Sequence, residues 1–227
     1  MFITNKSVSN ILDTLRCDAQ GIFLKPIHAL RTYDAFQHLN MVTDLKRVLL
    51  HYDEIEQQVL GACAEAKIVR LIFSKHDFSF TYKVLDLDPL PAVLPLQLVT
   101  DRHQLSGLGL QNYKWEDRTY WDELLSLKKI SALDVISINE KNQIVETSRF
   151  NLFFYDIKND VVITPALCCG CINGVYRRLV FQQGFIQLPG LGKKQIVEKV
   201  IQARDINLYQ LFAANSVRGV VPAVVVE

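Results

Sequence analysis

Apolar positions change period several times along the first part of the chain. Ile11–Cys17 and Ile22–Leu24 are apolar runs on either side of the turn-forming break Asp18-Ala19-Gln20-Gly21, which predicts a hairpin that opens a sheet. After Pro26, a residue suited to a first helical turn, the run HALRTYDAFQHL has helical spacing. A clearer helix follows, in which Leu45, Val48, Leu49, Tyr52, Val59, Leu60 and Cys63 recur at helical steps opposite a charged face and form a candidate core stripe. Lys67–Ser74 and Phe78–Asp86 are rich in β-formers around the polar break Lys75-His76-Asp77 and predict a second hairpin.

The pattern then stops. Pro89, Pro91 and Pro95 stiffen the backbone and disfavour helix and central strand, so residues 89–96 are expected to link an N-terminal domain, 1–88, to a C-terminal one, 97–227. Downstream, strands are expected at Val135–Asn139, Asn151–Asp156 and Val161–Thr164. Lys194–Arg204 is read as an amphipathic helix from Ile196, Val197, Val200 and Ile201, and Val220–Val226 as a buried final strand. No internal repeat or low-complexity tract is visible. The expected architecture is mixed α/β in two domains.

Composition narrows the function classes. With 49% hydrophobic and 22% charged residues the chain is a folding sequence, and a net charge of +1 from 25 basic and 24 acidic residues gives no electrostatic footprint for nucleic acid. Its uncharged stretches are short and broken by Pro or Gly, so no membrane partner is expected. The opening MFITNKSVSNILD turns polar too early for a signal-peptide core, which makes cytoplasmic the expected location. The five cysteines, odd in number and unevenly placed, are expected to be free thiols.

Candidate chemistry concentrates in Thr164-Pro-Ala-Leu-Cys-Cys-Gly-Cys-Ile-Asn-Gly174-Val-Tyr-Arg-Arg178. Gly170 and Gly174 precede an apolar run that starts a helix, and N–H groups at a helix start suit an anion such as phosphate, although the stretch matches neither the P-loop nor the dinucleotide fingerprint. Cys168, Cys169 and Cys171 lack the second ligand pair of a structural zinc site, so no metal is expected and they read as small residues in a tight loop. His28, His38, His51, His76 and His103 show no ligand spacing and read as surface or packing residues, and there is no G-x-S-x-G motif. Lys114, flanked by Tyr113 and Trp115, becomes a usable amine nucleophile if its surroundings lower its pKa, but most lysines are simply solvated.

Taken together these segments resemble the class IV family of pyridoxal-phosphate enzymes, which includes branched-chain and D-amino-acid aminotransferases and 4-amino-4-deoxychorismate lyase. Glu146-Thr-Ser-Arg-Phe-Asn151-Leu-Phe is similar to the family's glutamate–asparagine segment, followed by Thr164-Pro165 and Gly170-Cys-Ile-Asn-Gly174-Val-Tyr-Arg177. Lys114 with Arg118 resembles the Schiff-base lysine segment, His28-Ala-Leu-Arg31 the His-x-x-Arg helix, and Asn215-Ser-Val-Arg-Gly219-Val-Val-Pro222 the closing segment of the lyase branch. The resemblance runs from about Ile11 to Pro222 and implies a two-domain fold with a smaller N-terminal α/β domain and a larger C-terminal domain bearing a β-barrel-like sheet.

It also implies roles. Lys114 would hold pyridoxal phosphate covalently and later shuttle protons, and Glu146 would pair with the protonated pyridine nitrogen. Arg31, the N–H groups of Val175 and Tyr176 at the Gly174 turn, and the Ser216 hydroxyl would bind the phosphate. Asn151 reads as a structural hydrogen-bonder. Within the family the sequence departs in carrying Leu12-Asp13-Thr14-Leu15-Arg16 where relatives have a Phe-Glu-Thr-like strand, and Tyr176 where a threonine is common.

The Asp-Thr-Leu-Arg strand, the closing segment and the compact length favour the lyase over an aminotransferase, with a non-catalytic relative a third possibility that the retained lysine, glutamate and arginine oppose. Thr14 matches a threonine position of the lyase branch, which implies that it would steer or relay a proton to the substrate; the alternative is an ordinary strand threonine. Asn215 and Arg218 are the candidate substrate-binding residues, Arg218 through a bidentate grip on a carboxylate, with an ordinary surface arginine as its alternative. A homodimer is expected by the same resemblance.

Overall fold

The computed structural model describes residues 9–100 and 112–226, with the side chain of residue 100 left aside; His103 lies outside the described residues. The described residues of 1–87 and 113–119 form one compact unit, and those of 88–112 and 120–227 form a second.

In the first unit the strands β1 (Ile11–Asp18), β2 (Gly21–Ile22), β3 (Lys67–Phe73) and β4 (Phe80–Asp86) form an antiparallel sheet in the order β2-β1-β3-β4. Two helices, α1 (Lys25–His38) and α2 (Leu45–Val59), contribute Ala29, Phe36, Val48, Tyr52 and Ile55 to a core that also holds Leu15, Cys17, Val69, Leu71 and Phe73. The period of two along β1 therefore sends Ile11, Asp13, Leu15 and Cys17 inward, so an aspartate occupies a core position with no exposure. Asp44 caps α2, its carboxylate accepting from Arg47 N at 2.7 Å. The stripe expected to reach Cys63 ends in a 3-10 turn at Leu60–Ala62, and Leu24, expected in a strand, instead sits in the left-handed region at φ 57 and starts α1.

The second unit is built on a nine-stranded sheet. Its strands are β5 (Leu94–Thr100), β6 (Asp134–Ile138), β7 (Ile144–Thr147), β8 (Asn151–Asp156), β9 (Val161–Pro165), β10 (Phe185–Leu188), β11 (Gly192–Lys199), β12 (Gln210–Asn215) and β13 (Gly219–Val225), in the order β10-β11-β9-β8-β12-β13-β5-β6-β7. Pairing is mixed: β5 runs parallel to β6 and β13, and β11 parallel to β9. Two helices, α3 (Thr119–Ser126) and α4 (Val175–Gln183), pack through Leu124 beside Val99 and Val135 and through Val180 beside Phe153 and Phe212.

Three expectations are corrected here. Lys194–Arg204 is not a helix: β11 is held between β10 and β9, and a 3-10 turn follows at Ala203–Leu208, so sheet pairing overrides an apolar spacing too short to decide between periods. The proline-rich segment is strand from Leu94 onward, because Leu94 and Leu96 are fully buried and Pro95 needs no N–H where its carbonyl accepts from Leu133 N at 2.7 Å. The final strand β13 is only partly buried.

Candidate active site

Within the first unit, the lysine segment adds to the start of β1: Leu12 N donates to Lys114 O at 2.9 Å, and Ile11 bridges to Trp115. This places Lys114 against the face of β1 opposite the helices, where its Nζ donates to Thr14 Oγ1 at 2.9 Å. Arg70 stands directly across from Thr14 on β3. Burial, followed by the positive charges of Arg31, Arg118 and Arg70, pulls the Lys114 pKa down to about 7 against the opposing pull of Asp13. The uncharged amine, the state a nucleophile or base requires, is therefore reached much closer to neutrality than in a solvated lysine.

Behind it, on the core side of β1, Asp13 gathers four donors. Arg31 from α1 bonds Oδ1, Thr14 N bonds Oδ1 at 2.7 Å, His28 Nδ1 donates to Oδ2 at 2.8 Å and Tyr52 OH to Oδ2 at 2.6 Å. Thr32 Oγ1 lies 2.7 Å from Tyr52 OH. Burial alone would raise the Asp13 carboxyl, yet Arg31, His28 and these hydrogen bonds hold it well below the usual carboxylate range. His28, expected as a surface or packing residue, is fully buried and its pKa is lowered by burial, so its neutral ring donates through Nδ1. Of the residues this cluster brings together, the sequence singles out Lys114, Thr14 and Arg31 as candidates, and not Asp13, Tyr52 or Arg70. The signal available for Asp13 was an acidic residue in phase with Ile11, Leu15 and Cys17.

A separate cluster forms in the second unit. Glu146 on β7 accepts from Ile172 N at Oε1 and from Asn151 Nδ2 at Oε2, both at 3.0 Å, so each carboxylate oxygen has a fixed N–H donor. The same Asn151 amide donates to Ile172 O at 2.9 Å. Gly174, at the N-terminal end of α4, lies so close to Asn151 that a Cβ there would land on its Oδ1. The first bond of α4 runs from Arg178 N to Gly174 O at 2.9 Å, so the N–H groups of Val175 and Tyr176 precede the ladder. Tyr176 itself is partly buried against Val180 and its neighbours. Asn112 braces this loop, donating to Leu167 O at 3.2 Å and Cys171 O at 2.8 Å. Cys171 is buried, which pushes its thiol far up, and Cys169 is raised to about 11, so neither is a ready thiolate.

The turn between β12 and β13 holds the remaining candidates. Asn215 Oδ1 accepts from Val217 N at 3.0 Å and Arg218 N at 2.8 Å, and its Nδ2 donates to Arg149 O at 3.1 Å, so this side chain builds the turn. Ser216 is buried, and Arg218 donates to the carbonyl of Asp88. Among the described residues no helix is long and apolar enough to cross a membrane.

The family model for amino-transferase class IV matches residues 96–226. An aminodeoxychorismate lyase of Vibrio harveyi is 33% identical over 95 residues, a match spanning 39% of this chain and 31% of that protein's length. A solved structure from Mesorhizobium loti, assigned provisionally as an amino-acid aminotransferase, superposes with a TM-score of 0.80 at 25% identity, covering 96% of this chain and 99% of the other. A hypothetical aminotransferase of Mycobacterium tuberculosis in its PLP-bound form superposes at 0.75 with 15% identity, covering 98% and 85%, which is a likeness of fold. Fold and family match together define a protein of the class IV aminotransferase and lyase type. The chain belongs to the class IV aminotransferase family, an enzyme family.

Proposed function

We propose that the chain is a pyridoxal-phosphate-dependent lyase that converts 4-amino-4-deoxychorismate to 4-aminobenzoate and pyruvate. The observation that carries this reading is the Lys114 Nζ to Thr14 Oγ1 hydrogen bond of 2.9 Å, which puts a hydroxyl able to relay a proton on the reactive amine. The residues present fit the cofactor. An amine with a pKa of about 7 suits its aldehyde, an N–H-lined helix start with a glycine that admits close approach suits its phosphate, and a carboxylate with both oxygens anchored suits a protonated ring nitrogen.

When bound, pyridoxal phosphate supplies an electron sink for the charge left on an amine-bearing carbon after proton loss. In this proposal Lys114 and Thr14 would take and return the proton, while the phosphate-holding roles implied by the family resemblance would fall to Arg31 in the first unit and to Val175, Tyr176 and Ser216 in the second. Glu146 would pair with the ring nitrogen, and Asn215 and Arg218 would contact the substrate, Arg218 through its carboxylate. During the reaction the proton on the amine-bearing ring carbon leaves, the neighbouring ether C–O bond breaks, the ring becomes aromatic and the enolpyruvyl group takes up a proton as pyruvate. The aminodeoxychorismate lyase relative supports this reading within the span it matches.

Amino-group transfer is the second reading, favoured by the near-complete mutual coverage with the Mesorhizobium structure. Incubation with 4-amino-4-deoxychorismate, with product analysis against a panel of amino acid and keto acid pairs, separates the two. The lyase reading predicts equimolar pyruvate and 4-aminobenzoate; transfer between amino and keto acids without these products would replace it with the second.

A further inference from the structure

The most unusual group in the first unit is a fully buried carboxylate whose hydrogen bonds go to groups other than Lys114. Asp13 has no exposure, is surrounded by four donors from β1, α1 and α2, and stands one residue from Thr14. A lone buried carboxylate is costly, and a fold that only needed to fill this space would place another Ile or Leu in phase with Ile11 and Leu15. Three of its donors are side chains, two of them on α1, and Thr32 of α1 also meets Tyr52. The carboxylate is therefore the fixed point to which the guanidinium of Arg31 and the adjoining peptide of Thr14 are both referred.

We propose that Asp13, held by Tyr52 and His28, is a positioning residue of the lysine site: it aims the Arg31 guanidinium and fixes the Thr14 hydroxyl to which Lys114 donates. The proposal deepens the cofactor reading above and rests on it. The hydrogen bonds of Asp13 go to Arg31, Thr14, His28 and Tyr52, and those of Tyr52 to Asp13, Thr32 and the His28 carbonyl, so both would act on the lysine site through Arg31 and Thr14. Among the described residues, the charged and titratable groups that bear most on the Lys114 amine include Arg31, Arg70, Arg118, His28 and Asp13, and Asp13 is the one anion among these five.

Removing that anion separates two possibilities with opposite signs. If Asp13 merely neutralised Arg31, an Asp13→Asn variant would carry one more net positive charge and would bind an anion more tightly. If it positions Arg31, the variant binds pyridoxal phosphate more weakly in spite of that charge. The experiment measures the pyridoxal phosphate affinity of the full chain by absorbance titration. In parallel it measures the pH midpoint for labelling Lys114 in the cofactor-free protein with a water-soluble succinimidyl ester, read by peptide mass spectrometry.

For Asp13→Asn, affinity should fall by roughly tenfold or more, and the Lys114 midpoint should drop by about one unit because three arginines then act without their counter-charge. Tyr52→Phe keeps the charge and the shape, so the midpoint should stay put while affinity falls about two- to fivefold. Unchanged or tighter cofactor binding by Asp13→Asn, or an unmoved Lys114 midpoint, would overturn the proposal. If Asp13→Asn does not fold, Tyr52→Phe decides, and wild-type affinity in that variant overturns it. Wild-type protein that takes up no pyridoxal phosphate would sink the cofactor reading instead, and the labelling arm alone would then judge Asp13.

Discussion

Asp13 shows how one side chain couples stability to pH. Its folded pKa is depressed by Arg31, His28 and its hydrogen bonds, so its contribution is present above the unfolded value of about 4 and is lost as pH falls below it. Replacing it leaves Arg31 buried without its partner, and Asp13→Asn should cost about 3–5 kcal/mol near neutrality. Thermal melts of the two proteins from neutral pH down to acid check this: the gap should narrow below about pH 4, and a gap constant across that range would contradict it. None of this was legible in advance. Asp13 in Leu-Asp-Thr-Leu-Arg reads as a polar strand position until the period of β1 is known, and Tyr52 reads as an ordinary member of the α2 stripe. Lys114, by contrast, was legible only through its place in a family pattern, because its lowered pKa comes first from burial and then from Arg31, Arg118 and Arg70, and neither the burial nor Arg31 and Arg70 can be read from its local sequence.

At the scale of elements, the junction before α4 carries the argument. Gly174 has φ −63, an ordinary value, so the glycine is required by proximity to Asn151 and not by backbone strain. Gly174→Ala must displace the Asn151 side chain, which also holds Glu146 and Ile172, and should destabilise the protein by about 1–3 kcal/mol. Because the same shift moves the N–H groups of Val175 and Tyr176, pyridoxal phosphate affinity should fall as well. A Tm measurement with a cofactor titration tests both, and wild-type affinity in Gly174→Ala would show that this junction does not hold the phosphate.

The glycine turn and the helix that follows were readable from the chain, since a glycine ahead of an apolar run is a local signal. So were β1, β3, β8 and β9, whose β-former runs agree with their pairing. What escaped was decided by distant partners: β11 takes its form from β9 and β10, and β5 continues through Pro95 because β13 and β6 flank it.

Across the whole molecule, the family match covers residues 96–226 while the lysine segment Tyr113–Thr119 groups with the N-terminal unit. Chemistry assigned to Lys114 therefore draws on residues far outside the matched stretch, namely Asp13, Thr14, Arg31 and Arg70. The central claim is that this one amine is the covalent anchor for pyridoxal phosphate. Purified protein loaded with the cofactor, reduced with borohydride and digested for peptide mass spectrometry tests it directly. The account predicts a single stoichiometric pyridoxyl label on Lys114; a protein that takes up no cofactor, or one labelled at other lysines with Lys114 unmodified, would contradict it.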